Sequence, residues 1–241
     1  MKPLQHAQIS AKTYGGKWQD YIEVHNFLDS SKATCAHFKH RFLLHHIEGI
    51  ELGVRIFGET LTNSENETIE THRLLTDHLI EDVGRIVPVE DWARDMLPNK
   101  NDSFYKFLTK KRASIEADQI PGEGELLSAF NLSETNRAAV KKFLRSPLET
   151  AEHPVALLIS HNSFAVFLAE RIFGYAFVKE NGSQKQLVAV REVFERLIFL
   201  RMKAVYSPAE IVARTASREW MRGENASNAR AEKKRSVVNW S

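Results

Sequence analysis

The chain has 241 residues, with 33 lysines and arginines against 31 aspartates and glutamates, for a formal net charge of +2. Hydrophobic residues make up 43% and charged residues 27%, values typical of soluble globular proteins that exclude disordered, collagen-like and membrane-spanning chains. The single cysteine, Cys35, excludes an intramolecular disulfide. At about 100–200 residues per domain, the length allows one large domain or two small ones.

The sequence gives no sign of export or membrane insertion. Residues 1–6 lack the apolar core of a signal peptide, and no apolar run approaches the roughly 18 residues that indicate a membrane span. A lone free thiol suits a reducing compartment, so we expect a cytoplasmic location. The near-neutral charge gives no general attraction to nucleic acid.

Helical periodicity dominates the first part of the chain. Two short segments between residues 59 and 70, separated by polar residues, carry a weak signal for a β-hairpin. Gly58 and Gly84 are suited to end the helices that precede them. The predicted helices cover residues 4–14, 19–28, 32–57 and 71–83, with a short helix from Pro88 through Trp92.

The middle of the chain indicates a linker. Residues 99–125 are polar and contain the helix-breaking stretch Pro121–Gly124. After it we predict helices over residues 133–144, 154–173 and 187–205, and a last helix that opens at Pro208. The predicted organisation is an N-terminal unit at 1–98, a linker at 99–125, a second unit at 126–223 and a basic tail at 224–241.

The sequence Arg-Ile-Phe-Gly occurs twice, at residues 55–58 and again 116 residues later at 171–174. Both copies close a predicted long helix and precede a polar segment, a second helix and a proline that opens another helix. The spacing between the copies has drifted to 120 residues by these prolines. This shared order predicts a tandem duplication. We therefore predict a mainly α-helical fold of two similar halves, each with a minor β-hairpin.

Polar side chains interrupt the apolar faces of two predicted helices in the first half. A helical wheel of residues 32–57 places His46 near the middle of the apolar face, with His45 on its flank. His78 and Asp82 occupy a similar position on the later helix and are spaced so that their side chains can touch. Because buried polar groups need partners, we expect the two sets to face each other.

Two interpretations of this cluster stay open. A third alternative is that the helical wheels assign the wrong face to the core, in which case the histidines are exposed. In the first, the imidazoles and the carboxylate form a buried hydrogen-bond network that fixes the register of the helices. In the second, His45 or His46 joins His78 and Asp82 around one divalent metal ion, for which both residue types are common ligands. The spacing matches no standard zinc motif, so the sequence by itself establishes no cofactor.

The second half keeps the predicted helices but lacks most of the cluster. Two of its four aligned residues are apolar, which favours a site in the first half and a structural or partner-binding role for the second half. The aligned pairs are His45 with His161, His46 with Asn162, His78 with Ile198 and Asp82 with Met202.

Other residues suggest functions that have commoner structural explanations. Glu81 would be the general base beside a metal-bound water, although most such acids are simply solvated. Basic residues follow aromatic ones at Lys110, Lys111 and Arg112, as in some nucleic-acid-binding segments and in many amphipathic helices. The tail residues Lys233, Lys234 and Arg235 would contact phosphates or an acidic partner if the tail is not merely solvated.

A series of residues between His6 and Trp92 forms a distinctive pattern. It includes His6-Ala7, Gly15-Gly16, His25, His40-Arg41, His45-His46, Glu48-Gly49-Ile50, Phe57-Gly58, His78, Glu81-Asp82 and Asp91-Trp92. Over residues 6–95 this pattern resembles a family of small, largely phage-associated proteins of unknown function. The resemblance implies a phage or prophage origin, and hence the cytoplasm of a host cell, but it implies no activity.

Three functional hypotheses follow. The first is a phage-type structural or interaction protein that binds a protein partner or a second copy of itself. The second is a metal-dependent hydrolase of a phosphate ester or nucleotide, in which His46, His78 and Asp82 hold a divalent ion. The third, which is not favoured, is a nucleic-acid-binding accessory protein that uses the two basic stretches. The sequence alone does not decide whether the protein is an enzyme.

Overall fold

The computed structural model describes residues 1–94, 122–150, 154–179, 186–215 and 217–223. Within these ranges the chain is mainly helical, as predicted, with two small antiparallel sheets of two strands each. It divides into an N-terminal unit, Met1–Val87 with Ala216–Ser241, and a C-terminal unit, Pro88–Thr215. Most of the predicted linker and both basic stretches, with Lys110, Lys111, Arg112, Lys233, Lys234 and Arg235, lie outside the described residues.

The N-terminal unit is built from four helices, a hairpin and short 3₁₀ segments. Its helices are α1 (Pro3–Tyr14), α2 (Ile22–Asp29), α3 (Ile47–Phe57) and α4 (Thr71–Val83). The strands are β1 (Thr60–Thr62) and β2 (Thr68–Glu70), which confirm the predicted hairpin. The 3₁₀ segments are Trp18–Asp20, Ser30–Ala33, Phe38–Leu43 and, from the C-terminal end of the chain, Glu219–Arg222.

The predicted helix over residues 32–57 is wrong in its first half, because α3 begins only at Ile47. The break lies at His46, whose backbone is extended (φ −155°, ψ 173°) and whose Nδ1 accepts a hydrogen bond from Gly49 N–H at 3.1 Å. The same correction applies to the predicted helix over 154–173, which breaks at Asn162. A helical wheel misses both breaks because 3₁₀ segments and α-helices have similar periods.

The C-terminal unit repeats this arrangement of helices around a hairpin. Its helices are α5 (Val89–Arg94), α6 (Glu123–Ala129), α7 (Glu134–Arg145), α8 (Pro147–Thr150), α9 (Ser163–Phe173), α10 (Val190–Met202) and α11 (Pro208–Arg214). The strands β3 (Ala176–Val178) and β4 (Leu187–Ala189) pair antiparallel. A 3₁₀ segment, Pro154–Leu158, precedes α9.

The two units share the order and the register of their elements. In each, a long helix capped by a buried side chain leads through a hairpin into a helix of 13 residues. Phe27 packs edge-on against Phe57 in the first unit, and Phe143 packs edge-on against Phe173 in the second, at positions 116 residues apart. This agreement extends the sequence match well beyond Arg-Ile-Phe-Gly.

The buried faces of α4 and α10 coincide at a spacing of 119 residues, which corrects the spacing of 120 expected from the prolines. The positions occupied by Leu74, Leu75 and Leu79 in α4 correspond to Val193, Phe194 and Ile198 in α10. His78 therefore corresponds to Leu197, and Asp82 corresponds to Arg201.

Each unit has its own hydrophobic core. In the N-terminal unit the core contains fully buried residues of α2, α3 and α4, including Leu28, Ile50 and Leu75. Gly53 lets α3 approach α4 closely, because a Cβ at this position would lie against the side chain of Leu75. None of the helices within the described ranges is both long enough and apolar enough to cross a membrane.

Candidate metal centre

The N-terminal unit buries six histidine and aspartate side chains next to one another, which we call the histidine–aspartate cluster. Each of the six is at most 4% exposed. They come from α1, α2, the turn that follows the 3₁₀ segment Phe38–Leu43, and α4. The members are His6, His25, Asp29, His45, His78 and Asp82.

Four of these side chains have the spacing of metal ligands. One ligand atom from each of Asp29, His45, His78 and Asp82 lies within 4.8 Å of all the others. His45 Nε2 is 3.2 Å from Asp82 Oδ2 and 3.6 Å from Asp29 Oδ1, and His78 Nε2 is 3.7 Å from Asp82 Oδ2. Ligand atoms bound about 2.0–2.2 Å from a tetrahedral zinc ion lie about 3.3–3.6 Å apart. Three of the six distances between the four atoms are therefore close to those in such a coordination shell.

A chain of hydrogen bonds orients the ring of His78. His78 Nδ1 is 2.9 Å from His25 Nδ1, and His25 Nε2 is 2.9 Å from Ser10 Oγ. When His78 donates to His25 and His25 donates to Ser10, the lone pair of His78 Nε2 points towards Asp82. Nε2 itself is buried without a hydrogen-bond partner. Metal-binding histidines commonly have their second ring nitrogen fixed in this way.

Burial keeps three of the cluster histidines, His25, His45 and His78, in the neutral form that binds metals. Burial lowers the pKa of His45 to about 3 and is also the main reason that the pKa of His25 falls to about 3. The pKa of His78 is shifted far below its usual value, first by burial and then by the neighbouring histidines. All three imidazoles are therefore uncharged near neutral pH.

The two carboxylates stay ionised because cations surround them. Burial favours the neutral acid, but hydrogen bonds from His40 and Lys32 and the positive charge of Lys32 outweigh it and lower the pKa of Asp29 to about 2. For Asp82, contacts with His45, His6 and Arg41 similarly outweigh burial and hold its pKa well below the usual range. Arg41 Nη2 lies 2.9 Å from Asp82 Oδ2.

His6 joins the cluster from the side of α1. Its Nε2 lies 3.3 Å from Asp82 Oδ1, and its ring stacks on His78 with 3.9 Å between ring centroids. Burial opposes protonation of His6, but the carboxylates of Asp82 and Glu81 outweigh it and raise its pKa. His6, His25 and His78 form a second group with ligand spacing, although the hydrogen bond between His25 and His78 occupies Nδ1 of both rings.

Two residues predicted from sequence have other partners in the structure. Glu81, the expected general base, contacts His6 Nδ1 through its Oε2. His46, expected near His78, lies outside both ligand groups because its ring caps α3. Its Nε2–H donates to the carbonyl oxygen of Leu43 at 3.0 Å while Nδ1 accepts from Gly49, so both ring nitrogens are engaged. Of the predicted ligands, the structure brings His45, His78 and Asp82 together.

Sequence reasoning missed three members of the cluster. His6, His25 and Asp29 lie on α1 and α2, whereas the predicted cluster drew only on the helices over residues 32–57 and 71–83. The pattern that carries the family resemblance includes His6 and His25, so it contained a signal for these two. Asp29 stands directly before Ser30 and Ser31 in the sequence, and nothing local distinguishes it from a helix-capping residue.

The corresponding place in the C-terminal unit has a single buried histidine. His161 donates from Nδ1 to the carbonyl oxygen of Leu157 at 3.0 Å, and its Nε2 has no hydrogen-bond partner. Burial, followed by the charge of Arg201, shifts the pKa of His161 far below its usual value. Among the described residues, the groups with metal-ligand spacing all lie in the N-terminal unit.

The match found among known protein families lies in the N-terminal part of the chain. No curated protein and no solved structure matches this sequence. Residues 1–101, which include every member of the histidine–aspartate cluster, match the family model of a domain of unknown function, DUF6915.

Proposed function

We propose that the N-terminal unit holds one divalent metal ion through Asp29, His45, His78 and Asp82, and that this ion has a structural role in a non-enzymatic helical protein. The observation that carries the proposal is a group of four ligand atoms all within 4.8 Å of one another, in which three nitrogen–oxygen distances are 3.2–3.7 Å. Two nitrogen and two oxygen ligands suit zinc and several other first-row ions.

Burial of the ligands favours a structural ion over a catalytic one. Catalytic zinc sites keep a coordination position open to water and substrate, whereas structural sites are closed by protein ligands. Here four protein ligands are available, and each is at most 4% exposed. Glu81 contacts His6, so it is engaged away from the place where a hydrolase would need its general base. The alternative of a metal-dependent phosphoesterase is accordingly less well supported.

We further propose that the C-terminal unit is a diverged second copy that has lost the metal centre. The shared register of α4 and α10 and the equivalent caps of α3 and α9 support a tandem duplication. The resemblance over residues 6–95 supports a phage or prophage origin, and with it the cytoplasm of a host cell.

A protein-interaction role for the C-terminal unit is supported by its surface. The outward positions of its hairpin are apolar, whereas those of β1 and β2 are threonines and a glutamate. Val178 is 48% exposed and Leu187 is 64% exposed. Exposed apolar patches of this kind are typical of contact surfaces. The nucleic-acid hypothesis depends on residues outside the described ranges and stays a prediction.

The proposal is tested by elemental analysis of the full-length protein after purification without chelators, followed by titration with Zn²⁺. We expect about one equivalent of divalent metal per chain. His78→Gln and Asp82→Asn should abolish stoichiometric binding because each removes one of four ligands. His72→Gln is the matched control, since His72 is an exposed histidine on the same helix, α4. It should bind as the wild type does.

Two results would contradict this proposal. A folded wild-type protein that takes up no metal would favour the hydrogen-bond network, in which Lys32 neutralises Asp29 while Arg41 and the N-terminal ammonium of Met1 neutralise Asp82. Hydrolysis of a phosphate ester by the wild type, lost in Asp82→Asn, would instead favour the enzyme. The wild-type measurement decides the question even if a cluster variant does not fold.

A further inference from the structure

The C-terminal end of the described chain docks on the N-terminal unit beside the histidine–aspartate cluster. We call residues 217–223 the C-terminal latch. Met221, in its 3₁₀ segment, is fully buried, and its carbonyl oxygen accepts a hydrogen bond from Arg41 Nη1 at 3.0 Å. Two cation–π contacts flank this bond, with Arg85 over Trp220 at 5.4 Å and Arg222 over Phe38 at 5.0 Å.

Arg41 connects the latch to the proposed metal centre. The same guanidinium that holds Met221 through Nη1 reaches Asp82 Oδ2 through Nη2 at 2.9 Å. Arg41 is itself only 6% exposed. Because a guanidinium is planar and rigid, fixing one of its nitrogens fixes the direction of the other. Docking of the latch therefore fixes the cation that orients the Asp82 carboxylate.

Gly223 brings the latch into direct contact with α4. Its φ of +79° lies in the left-handed region, and a Cβ at this position would overlap the backbone carbonyl oxygen of Asp82. The same Cβ would lie 3.6 Å from Arg41 Nη1. The latch thus contacts the backbone of Asp82 directly and its carboxylate through Arg41.

We propose that the N-terminal unit has a peptide-binding seat over its metal centre, occupied by the chain's own C-terminal latch, and that metal binding and latch docking strengthen each other. This inference rests on the proposed function, because it requires a metal at Asp82. Coupling of this kind is reciprocal, so the factor by which the metal tightens the latch equals the factor by which the latch tightens the metal.

Gly223→Ala tests the coupling without altering any proposed ligand. We expect the dissociation constant for Zn²⁺ to rise about tenfold, within the usual range of coupling between two sites. Gly174→Ala is the matched control, because Gly174 also has a positive φ (+80°) but no atom lies within 4 Å of its would-be Cβ. It should leave Zn²⁺ affinity unchanged. The comparison distinguishes displacement of the latch by a steric clash from the backbone strain that alanine causes at any positive φ.

Hydrogen exchange on the wild-type protein measures the reverse direction. Removing the metal with a chelator should lower the protection of the latch amides by a similar factor of about ten. The measurement does not depend on whether Gly223→Ala folds.

The possible outcomes distinguish the two proposals. Stoichiometric metal with unchanged latch protection and unchanged affinity in Gly223→Ala overturns the coupling and leaves the metal centre intact. Absence of metal binding in the wild type overturns both proposals. Loss of affinity in Gly223→Ala but not in Gly174→Ala, together with a loosened latch in the metal-free wild type, supports both.

Discussion

Asp82 is the residue on which the N-terminal unit concentrates its polar interactions. His6, Arg41, His45 and His78 all place a nitrogen within 4 Å of its carboxylate oxygens. In the C-terminal unit the corresponding position of α10 has a base, Arg201, in place of this buried acid. The remaining histidine, His161, therefore faces a cation where His45 faces anions.

This difference predicts how pH acts on His161. Its pKa is depressed in the folded protein and takes its usual value of about 6.5 in the unfolded chain. Below pH 6.5 the unfolded chain therefore binds a proton that the folded chain does not. The free energy of unfolding should fall by about 1.4 kcal/mol per pH unit from this group alone, and this contribution is fully present only above pH 6.5.

His161→Asn should remove this pH dependence, because asparagine keeps a donor for the Leu157 carbonyl but cannot be protonated. Urea unfolding at pH 7.5, 6 and 5 in the presence of a chelator measures the difference between the variant and the wild type. The difference should shift in favour of the variant by about 1–2 kcal/mol between pH 6.5 and 5. Parallel pH profiles for the two proteins would contradict the prediction. His72→Asn, at an exposed position, should leave the profile unchanged.

At the scale of single elements, α3 and α9 have equivalent N-caps formed by different residues, a histidine in α3 and an asparagine in α9. His46 accepts from Gly49 N–H and donates to Leu43, and Asn162 accepts from Ala165 N–H and donates to Ile159. Asparagine is among the best N-cap residues, and here a histidine takes the same role. The cap explains why His46 is buried although it lies outside the ligand groups.

His46→Asn should therefore preserve both the stability and the metal content of the N-terminal unit. His46→Ala should lower the free energy of unfolding by about 1 kcal/mol, the usual cost of losing an N-cap, while metal content again stays the same. Thermal unfolding and elemental analysis of the two variants check these outcomes. Loss of metal in His46→Asn would show instead that His46 is a ligand, as the sequence first suggested.

The caps also show what the sequence could predict and what it could not. Residues 71–83 form α4 as predicted, because the helix is short, continuous and ended by a glycine in the left-handed conformation. The prediction of one helix over residues 32–57 was wrong because the helical spacing of apolar residues continues through His46, whose backbone is extended. The helical wheel of residues 71–83 placed His78 and Asp82 on the buried face of α4, and the need of buried polar groups for partners predicted their contact with His45. The parts contributed by His6, His25 and Asp29 depend on how α1 and α2 pack, which no local pattern reveals.

At the scale of the whole molecule, the chain combines two units of similar design and different interior chemistry. One interior contains the histidine–aspartate cluster, and in the described part of the other the buried histidine is His161, among mainly apolar residues. A structural metal stabilises only the unit that binds it, by about 2.7 kcal/mol when free metal is a hundredfold above its dissociation constant. The two units should consequently respond differently to metal removal.

Chelation should lower the protection of slowly exchanging amides in α2 and α4 and leave those in α7 and α10 unchanged. Hydrogen exchange with mass spectrometry, performed with saturating Zn²⁺ and with a chelator, measures this difference along one chain. Equal loss of protection in α4 and α10 would contradict assignment of the metal to the N-terminal unit.

The long separation between Arg41 and Met221 has a consequence for biosynthesis. These two residues are 180 positions apart. A ribosome that adds about 5–20 residues per second makes Met221 about 10–40 s after Arg41. During that interval α1 to α4 of the N-terminal unit can pack together, but the C-terminal latch has not yet been synthesised. The part of the protein that is translated first can therefore be completed only after Met221 has been made.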